Sequence, residues 1–226
     1  TISESKLSEF ASLSQYWVLR GQVSLQQKQY TKAISQYQKL LKLKPDSIAA
    51  RQGIIVSLSE LKSYPTLNQV LSKWEAFAEK NDQLWPNYAI AYQGMKAYSA
   101  SLKWFEMTSI KHPENFTMLL SYAETLEKLD RKADASKVRA DGVGQLVQQL
   151  SSGALNPAER KEALFQYLSV LSKVGNQSQF DATYAELDQF TNTSPDKNRM
   201  NEIAIPWAPD KNNISQLKQF RARKDT

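Results

Sequence analysis

The sequence predicts an all-α fold in which antiparallel helical hairpins stack into a solenoid. First, large apolar residues and small residues recur with a period of about 34 residues, which accommodates two short helices and their turns. Second, only 7 Gly and 8 Pro residues occur among 226, which leaves little material for a turn-rich all-β fold. Third, apolar residues (41%) and charged residues (23%) lie near globular averages, which argues against a disordered or fibrous chain.

This repeat period is clearest in two segments, which begin at Ser14 and Asp82. The first segment has these residues at the characteristic positions: Trp17, Gly21, Ala33, Tyr37 and Pro45. The second segment fills corresponding positions as follows: Trp85, Ala89, Tyr92, Ser101, Phe105 and Pro113. Weaker copies begin at Ile48 and Phe116. This spacing is typical of the tetratricopeptide repeat (TPR), so we expect a TPR α-solenoid that coils as a right-handed superhelix, with large residues packing between repeats.

The period divides most of the chain into repeats. Residues 1–13 are predicted to begin the first helix, and residues 14–150 to hold four repeats, at 14–47, 48–81, 82–115 and 116–149. Residues 151–190 are expected to form an atypical capping hairpin. Its first helix should run from Pro157 to about Val174, because Asn156 and Glu159 fit a capping box, and Gly175 suits a C-terminal cap. Its second helix has apolar residues at helical spacing: Phe180, Tyr184, Leu187 and Phe190.

The last segment, residues 191–226, is polar and carries three of the eight prolines. We interpret it as a linker or tail with one short basic helix at about 214–223. Its basic residues lack the interleaved aromatic residues of a nucleic-acid site, so no nucleic-acid partner is predicted. The formal net charge of +6 is interpreted as a solvated surface of mixed charge, and no apolar stretch is long enough to span a membrane.

No catalytic, metal-binding or cofactor-binding apparatus is predicted. The chain has no Cys and only one His, His112, which precedes Pro113 at a repeat boundary. Nucleotide-binding and hydrolase motifs are missing from the sequence. Glu124 and Glu127 lie three residues apart on one helix and could form an acid and base pair, but with Lys128 they fit a solvated charged face better. An enzyme is therefore not expected.

A partner groove is predicted instead, on the first helices of the hairpins. In a TPR array these helices line the inner surface, and here the residues beside the packing positions are rich in amides. The candidate groove residues are Gln15, Gln22, Gln26, Gln52, Gln93, Glu124 and Glu127. An amide both donates and accepts hydrogen bonds, so this groove suits an extended peptide backbone or sugar hydroxyls better than a charged peptide terminus.

Several segments resemble one TPR family beyond the generic repeat. They are Pro45-Asp46-Ser47-Ile48-Ala49-Ala50-Arg51-Gln52-Gly53-Ile54, Trp85-Pro86-Asn87-Tyr88-Ala89, Leu102-Lys103-Trp104-Phe105-Glu106, His112-Pro113-Glu114-Asn115 and Leu120-Ser121-Tyr122-Ala123-Glu124-Thr125-Leu126-Glu127. Over about residues 30–150 the chain resembles the periplasmic TPR region of outer-membrane exopolysaccharide exporters, most closely the Pel type. The exporters of cellulose and of poly-N-acetylglucosamine also have a periplasmic TPR region of this kind.

The resemblance implies a location in the periplasm, as part of an outer-membrane-associated protein of biofilm exopolysaccharide secretion. It also implies the function of a non-catalytic scaffold that recruits a periplasmic polysaccharide-modifying enzyme. Two alternatives stay open. The groove could bind the polysaccharide itself and guide it to an export pore, or the chain could be a generic TPR adaptor.

Overall fold

The structure, a computed structural model, describes residues 13–174 and 177–204, and these residues are all-α. Their helices are α1 Ser14–Gln26, α2 Tyr30–Leu43, α3 Ile48–Glu60, α4 Tyr64–Ala78, α5 Trp85–Gly94, α6 Tyr98–Lys111, α7 Phe116–Lys128, α8 Lys132–Ser152, α9 Pro157–Val174, α10 Gln177–Phe190 and α11 Ser194–Ala204. A 3-10 turn at Asp82–Leu84 precedes α5. The helix start predicted within 1–12, the cap at Gly175 and the helix predicted at 214–223 lie outside the described residues.

The helices pack as sequential hairpins, which confirms the predicted solenoid fold class. Each helix from α1 to α6 packs against the next, and α9 packs against α10. The contacts divide the chain into an N-terminal unit, residues 1–139, and a C-terminal unit, residues 140–226. The predicted repeat boundaries stay a prediction.

Four turns within the N-terminal unit share one backbone conformation. Each turn ends the first helix of a hairpin with a residue at positive φ: Lys28 at 56°, Lys62 at 52°, Lys96 at 60° and Asp130 at 59°. The amide of the next residue donates to the carbonyl five residues back, at 2.8–3.0 Å. This is a Schellman motif, in which a left-handed residue closes the helix. The spacing of the four residues equals the repeat period of the sequence.

Replacing Lys62 by glycine is expected to stabilise the protein, because a side chain at positive φ is strained and glycine is not. We expect a gain of about 0.5–1 kcal/mol in the free energy of unfolding, measured by chemical denaturation. The matched control is Lys73→Gly, an exposed position inside α4, which should lose about 1 kcal/mol. Equal losses in the two variants would contradict the left-handed turn.

The starts of α3 and α7 are capped by side chains. The Ser47 hydroxyl accepts a hydrogen bond from the amide of Ala50, and the Asn115 side-chain oxygen accepts one from the amide of Met118, both at 3.2 Å. Both capping residues follow the predicted boundary prolines by two positions. These caps satisfy amides that the first turn of a helix leaves without partners.

The core of the N-terminal unit is centred on Trp104 and Tyr88. Both are fully buried, their ring centroids lie 4.4 Å apart, and the Tyr88 hydroxyl donates to the Leu71 carbonyl at 3.0 Å. The repeat consensus instead predicts Trp17 and Trp85 as packing residues, and both are only half-buried. Both pack against the core, as predicted, whereas Trp104 is the fully buried tryptophan among the described residues. The other predicted large residues are buried: Tyr37, Tyr92 and Phe105.

In the C-terminal unit, the predicted hairpin of α9 and α10 is present. The Asn156 side-chain oxygen accepts hydrogen bonds from the amides of Ala158 and Glu159, at 3.0 Å each. Glu159 in turn accepts one from the Asn156 amide at 3.0 Å. This confirms the capping box expected at the start of α9. On α10 the apolar residues expected to face inward are buried, apart from half-buried Phe190: Phe180, Tyr184 and Leu187.

Residues 194–204 are not a linker. They form α11, which packs against α9 and buries Met200 and Ala204, four residues apart on one helical face. Two ion pairs also join the two helices. Lys161 lies 2.8 Å from Asp196, and Arg199 binds both carboxylate oxygens of Glu162 at 2.7 Å. The sequence of this segment is polar because ion pairs contribute much of the contact between α9 and α11.

Acid is expected to weaken the docking of α11. Hydrogen bonds from Arg199 lower the pKa of Glu162, and a hydrogen bond from Lys161 lowers the pKa of Asp196. The stability these carboxylates contribute is present above their unfolded pKa values, near 4, and is lost as pH falls through the lower folded values. We expect Glu162→Gln to lower the free energy of unfolding at pH 7 but not at pH 2, by less than about 1 kcal/mol for partly exposed pairs. An equal loss at both pH values, measured by chemical denaturation, would contradict this.

Candidate functional site

The first helices of the hairpins lie side by side. Helix α1 contacts α3, α3 contacts α5, and α5 contacts α7. We call the surface that these four helices form the first-helix face. The sequence predicted the partner groove on this face, and the structure shows what each candidate residue does there.

Two of the predicted groove residues join neighbouring repeats. The Gln52 amide on α3 donates to the carbonyl of Gln83, just before α5, at 2.8 Å. The Gln93 amide on α5 donates to the carbonyl of Ser121 at 2.9 Å and to the hydroxyl of Thr125 at 3.1 Å, both on α7. Their donor groups are therefore used within the fold. This identifies Gln52 and Gln93 as links along the solenoid.

Replacing Gln93 by alanine is expected to destabilise the protein, because its two acceptors on α7 lose their donor. The expected loss is about 1 kcal/mol, the usual net value of an intramolecular hydrogen bond. Chemical denaturation followed by circular dichroism measures it. The matched control is Gln22→Ala, an exposed glutamine on α1, which should stay within about 0.5 kcal/mol of the parent. A harmless Gln93→Ala would show that the link contributes nothing.

The three predicted groove glutamines of α1 lie at the surface. Gln15, Gln22 and Gln26 are all exposed, and they follow one another along one stripe of the helix. Their amides can pair with both the N–H and the C=O groups of an extended chain. In this N-terminal part of the predicted groove the side-chain amides are therefore exposed.

A pocket of about 590 Å³ adjoins this stripe. Gln15 and Val18 line it from α1, Ser47 lines it from the cap of α3, and Phe77 lines it from α4. Lys44 and Asp46 bring charges of both signs to its wall. The pocket therefore presents apolar and polar groups together, as a peptide side chain with a polar end would require.

Arg51 lies directly behind two residues of the pocket wall. It is 9% exposed, donates to the Ser47 carbonyl at 3.2 Å, and its guanidinium carbon lies 3.9 Å from the centroid of the Phe77 ring. Burial lowers the pKa of this guanidinium, although Tyr88 and Asp46 oppose the shift. Its Nε has no hydrogen-bond partner among the described residues. Sequence analysis missed this residue, since nothing in the sequence separates a buried arginine from an exposed one.

The acidic end of the predicted groove is part of the surface. Glu124 and Glu127 on α7 are both exposed, and Glu127 lies 2.7 Å from a guanidinium nitrogen of Arg139 on α8. The distance is that of an ion pair, although the hydrogen-bond angle at this nitrogen is poor. The Glu127 carboxylate is therefore engaged in a contact between α7 and α8. This arrangement favours a charged face over an acid and base pair.

Across residues 13–174 and 177–204, no cluster of three metal-ligating side chains occurs. His112 lies at the end of α6, partly exposed, with its Nδ1 3.5 Å from Glu114. In the same part of the chain, no helix is long and apolar enough to cross a membrane.

Comparison with known proteins supports the fold. A solved structure from the functional characterization of Pseudomonas aeruginosa pilF is similar to 94% of this chain and to 87% of its own, with a TM-score of 0.58 and 14% identity. At that identity, the likeness shows the fold alone. No curated protein matches the sequence.

The family follows from the repeats themselves. A family model of the tetratricopeptide repeat matches residues 2–148, which is more than half of the chain. Within this range the hairpins pack in sequence, and a left-handed turn recurs once in every repeat period. Domains of this family are typically non-catalytic and generally serve as scaffolds for protein–protein interaction. The chain therefore belongs to the tetratricopeptide-repeat family.

Proposed function

We propose that this chain is a non-catalytic scaffold that binds a partner protein on its first-helix face. The proposed setting is the periplasm, within an outer-membrane-associated protein of exopolysaccharide secretion, of the Pel-like kind. The proposed partner is a periplasmic enzyme that modifies the polysaccharide. Membership of the TPR family supports the scaffold function, and the resemblance of residues 30–150 to the exporters supports the setting.

The observation that carries the proposal is that some of the predicted groove glutamines are hydrogen-bonded within the fold, whereas others are exposed. Gln52 and Gln93 use their amides to join repeats. Gln15, Gln22 and Gln26 are exposed, and Gln15 also lines a pocket. Exposed amides on a rigid helical surface can pair with the main chain of an extended peptide, while the pocket accepts one of its side chains. We therefore place the partner segment along α1 and the start of α3.

A capture experiment tests this function. The immobilised chain is exposed to periplasmic extract from a bacterium that secretes exopolysaccharide, and bound proteins are identified by mass spectrometry. We expect a polysaccharide-modifying enzyme to bind the parent chain. Binding should be lost when alanine replaces the three exposed glutamines: Gln15, Gln22 and Gln26. The control carries Gln38→Ala and Gln69→Ala, two exposed positions on the second helices α2 and α4, and should bind as the parent does.

Two results would argue against the proposal. Recovery of cytosolic chaperones alone would remove the periplasmic setting. Equal capture by the triple variant and the control would remove the α1 glutamines from the site. A partner unrelated to polysaccharide, lost in the triple variant, would instead favour the generic TPR adaptor.

A second candidate function is direct binding of the polysaccharide. The same exposed amides favour it, because neutral groups that donate and accept are suited to sugar hydroxyls. Titration with oligosaccharides, followed by the side-chain amide resonances of Gln22 and Gln26, should then show saturable shifts. Unchanged resonances at millimolar sugar would exclude this function.

A further inference from the structure

The net positive charge of the chain corresponds to that of its first hairpin. Between Ser14 and Pro45 the sequence has no acidic residue, and its six basic residues equal the formal net charge of +6. All six are exposed: Arg20, Lys28, Lys32, Lys39, Lys42 and Lys44. None forms an ion pair with another residue of the described ranges, although the rest of the chain has many such pairs. The first hairpin therefore presents cations that have no counter-charge among the described residues.

One face of α1 occupies positions that are covered in the later repeats. We call it the α1 edge face, and it consists of Tyr16, Leu19, Arg20 and Val23. A shift by one repeat period gives the equivalent positions of α3, and further shifts give those of α5 and α7. The equivalents of Arg20 are Ile54, Tyr88 and Tyr122, and those of Val23 are Ser57, Ala91 and Thr125, all of which are buried.

The later repeats bury this face against the second helix of the preceding repeat. Tyr88 on α5 donates its hydroxyl to the carbonyl of Leu71 on α4. Tyr122 on α7 stacks on Phe105 of α6, with ring centroids 5.9 Å apart. Gly53 on α3, the equivalent of Leu19, lies against the Tyr37 ring of α2. In this repeat architecture, the face is thus shaped to pack against an α-helix.

On α1 the same face is open. Leu19 is 56% exposed and Val23 is 47% exposed, four residues apart on one side of the helix. Arg20 lies between them in sequence, with its guanidinium carbon 5.6 Å from the centroid of the Tyr16 ring. The face therefore combines two exposed aliphatic side chains with a cation stacked on an aromatic ring. This face borders the stripe that carries Gln15, Gln22 and Gln26, and Leu19 lies where the two meet.

We propose that the α1 edge face is a docking site for an acidic amphipathic helix of a partner protein. The repeat geometry selects a helix, because a second helix covers this face in each following repeat. The exposed leucine and valine would pack against an apolar stripe on that helix. The cations of the first hairpin, which form no ion pair within the described residues, favour acidic residues beside that stripe and attract an acidic partner from a distance. The proposal is independent of the exporter assignment.

A designed peptide tests the proposal on the full chain. The probe is a fluorescent peptide of about 18 residues, five helical turns, with leucine and alanine on one face and glutamate on the other. We expect saturable binding by fluorescence anisotropy that weakens as ionic strength rises. Leu19→Gln together with Val23→Asn, and separately Arg20→Gln, should each weaken binding at least about tenfold, as for central residues of an interface.

Matched controls separate this site from the rest of the surface. Ile110→Gln replaces an 83% exposed aliphatic residue on α6, and Lys73→Gln removes an exposed charge on α4. Both should bind the peptide as the parent does. Circular dichroism checks that each variant is folded.

Four outcomes would overturn the proposal. Failure of the peptide to bind excludes the site. Equal binding of a peptide with the same composition but scattered leucines shows charge attraction without a helix site. Tighter binding of a DNA duplex or of heparin, lost in the same variants, assigns the surface to polyanions. Binding only after removal of residues 1–12 assigns the face to the chain's own N-terminal segment.

Discussion

Replacing Trp104 by alanine is expected to lower the free energy of unfolding by about 3–5 kcal/mol, the usual cost of deleting a buried aromatic side chain. Trp104 is 1% exposed on α6, and its ring is packed against that of Tyr88 on α5. Both helices belong to one hairpin, so the vacated volume lies at its centre. Chemical denaturation followed by circular dichroism measures the loss.

Trp85→Ala is the matched comparison, since it removes the tryptophan that the repeat consensus selects. Trp85 is half-buried, and its indole N–H donates to the carbonyl of Ala78 at 2.8 Å. We expect a smaller loss, of about 1–3 kcal/mol, from partial burial and one hydrogen bond. A larger loss at Trp85 than at Trp104 would mean that the consensus, and not the observed burial, identifies the central residue.

The effect of Trp104→Ala should also be local. Repeats contact their neighbours, so a cavity in one hairpin weakens the interfaces nearest to it. Amide hydrogen exchange should accelerate in α5 and α6 and stay unchanged in α9 and α10. Uniform acceleration throughout the chain would show that it unfolds as one cooperative block.

The repeat period was accessible from the sequence because small and large residues alternate at fixed distances. The conformation of the turns that end the first helices could not be predicted from the sequence. They adopt a left-handed conformation at Lys28, Lys62, Lys96 and Asp130, where the usual glycine is absent. Helix packing on both sides imposes this conformation, so local residue preference gives no sign of it.

Helix α11 was missed for a related reason. Apolar periodicity detects a helix only when apolar contacts dominate its buried face. Of the 11 residues of α11, only Met200, Asn201 and Ala204 are buried, and ion pairs with α9 contribute much of the remaining contact. From the sequence alone, a charged side chain whose ion-pair partner is distant cannot be distinguished from one that is exposed to solvent.

The candidate groove stays a prediction, but the structure shows which of its amides form hydrogen bonds between repeats, and the sequence could not. The position of a glutamine on a first helix can be read from the period, whereas the partner of its amide depends on the backbone of the next repeat. Gln52 and Gln93 meet such a backbone, and Gln22 does not. The charge of the first hairpin was visible in the sequence, but counts taken over the whole chain concealed it.

Replacing Gly53 by alanine is the second substitution with a large expected effect. A Cβ atom at this position of α3 would overlap the Tyr37 ring, which is 2% exposed and also lies against Gly21. The ring is enclosed by two helices and cannot move aside without disturbing both. We expect a loss of about 1–3 kcal/mol from overpacking, despite the better helix propensity of alanine.

Gly94→Ala provides a control with the opposite sign. Gly94 ends α5, is exposed, and would have no atom within 4 Å of an added Cβ. Alanine there should stabilise the protein by about 0.5–1 kcal/mol, because it restricts the unfolded chain. Adding Tyr37→Leu to Gly53→Ala should recover part of the loss, since the smaller side chain makes room for the methyl group. A stabilising Gly53→Ala would mean that α2 and α3 are further apart than the structure shows, and that the small residue at this position does not serve close packing between repeats.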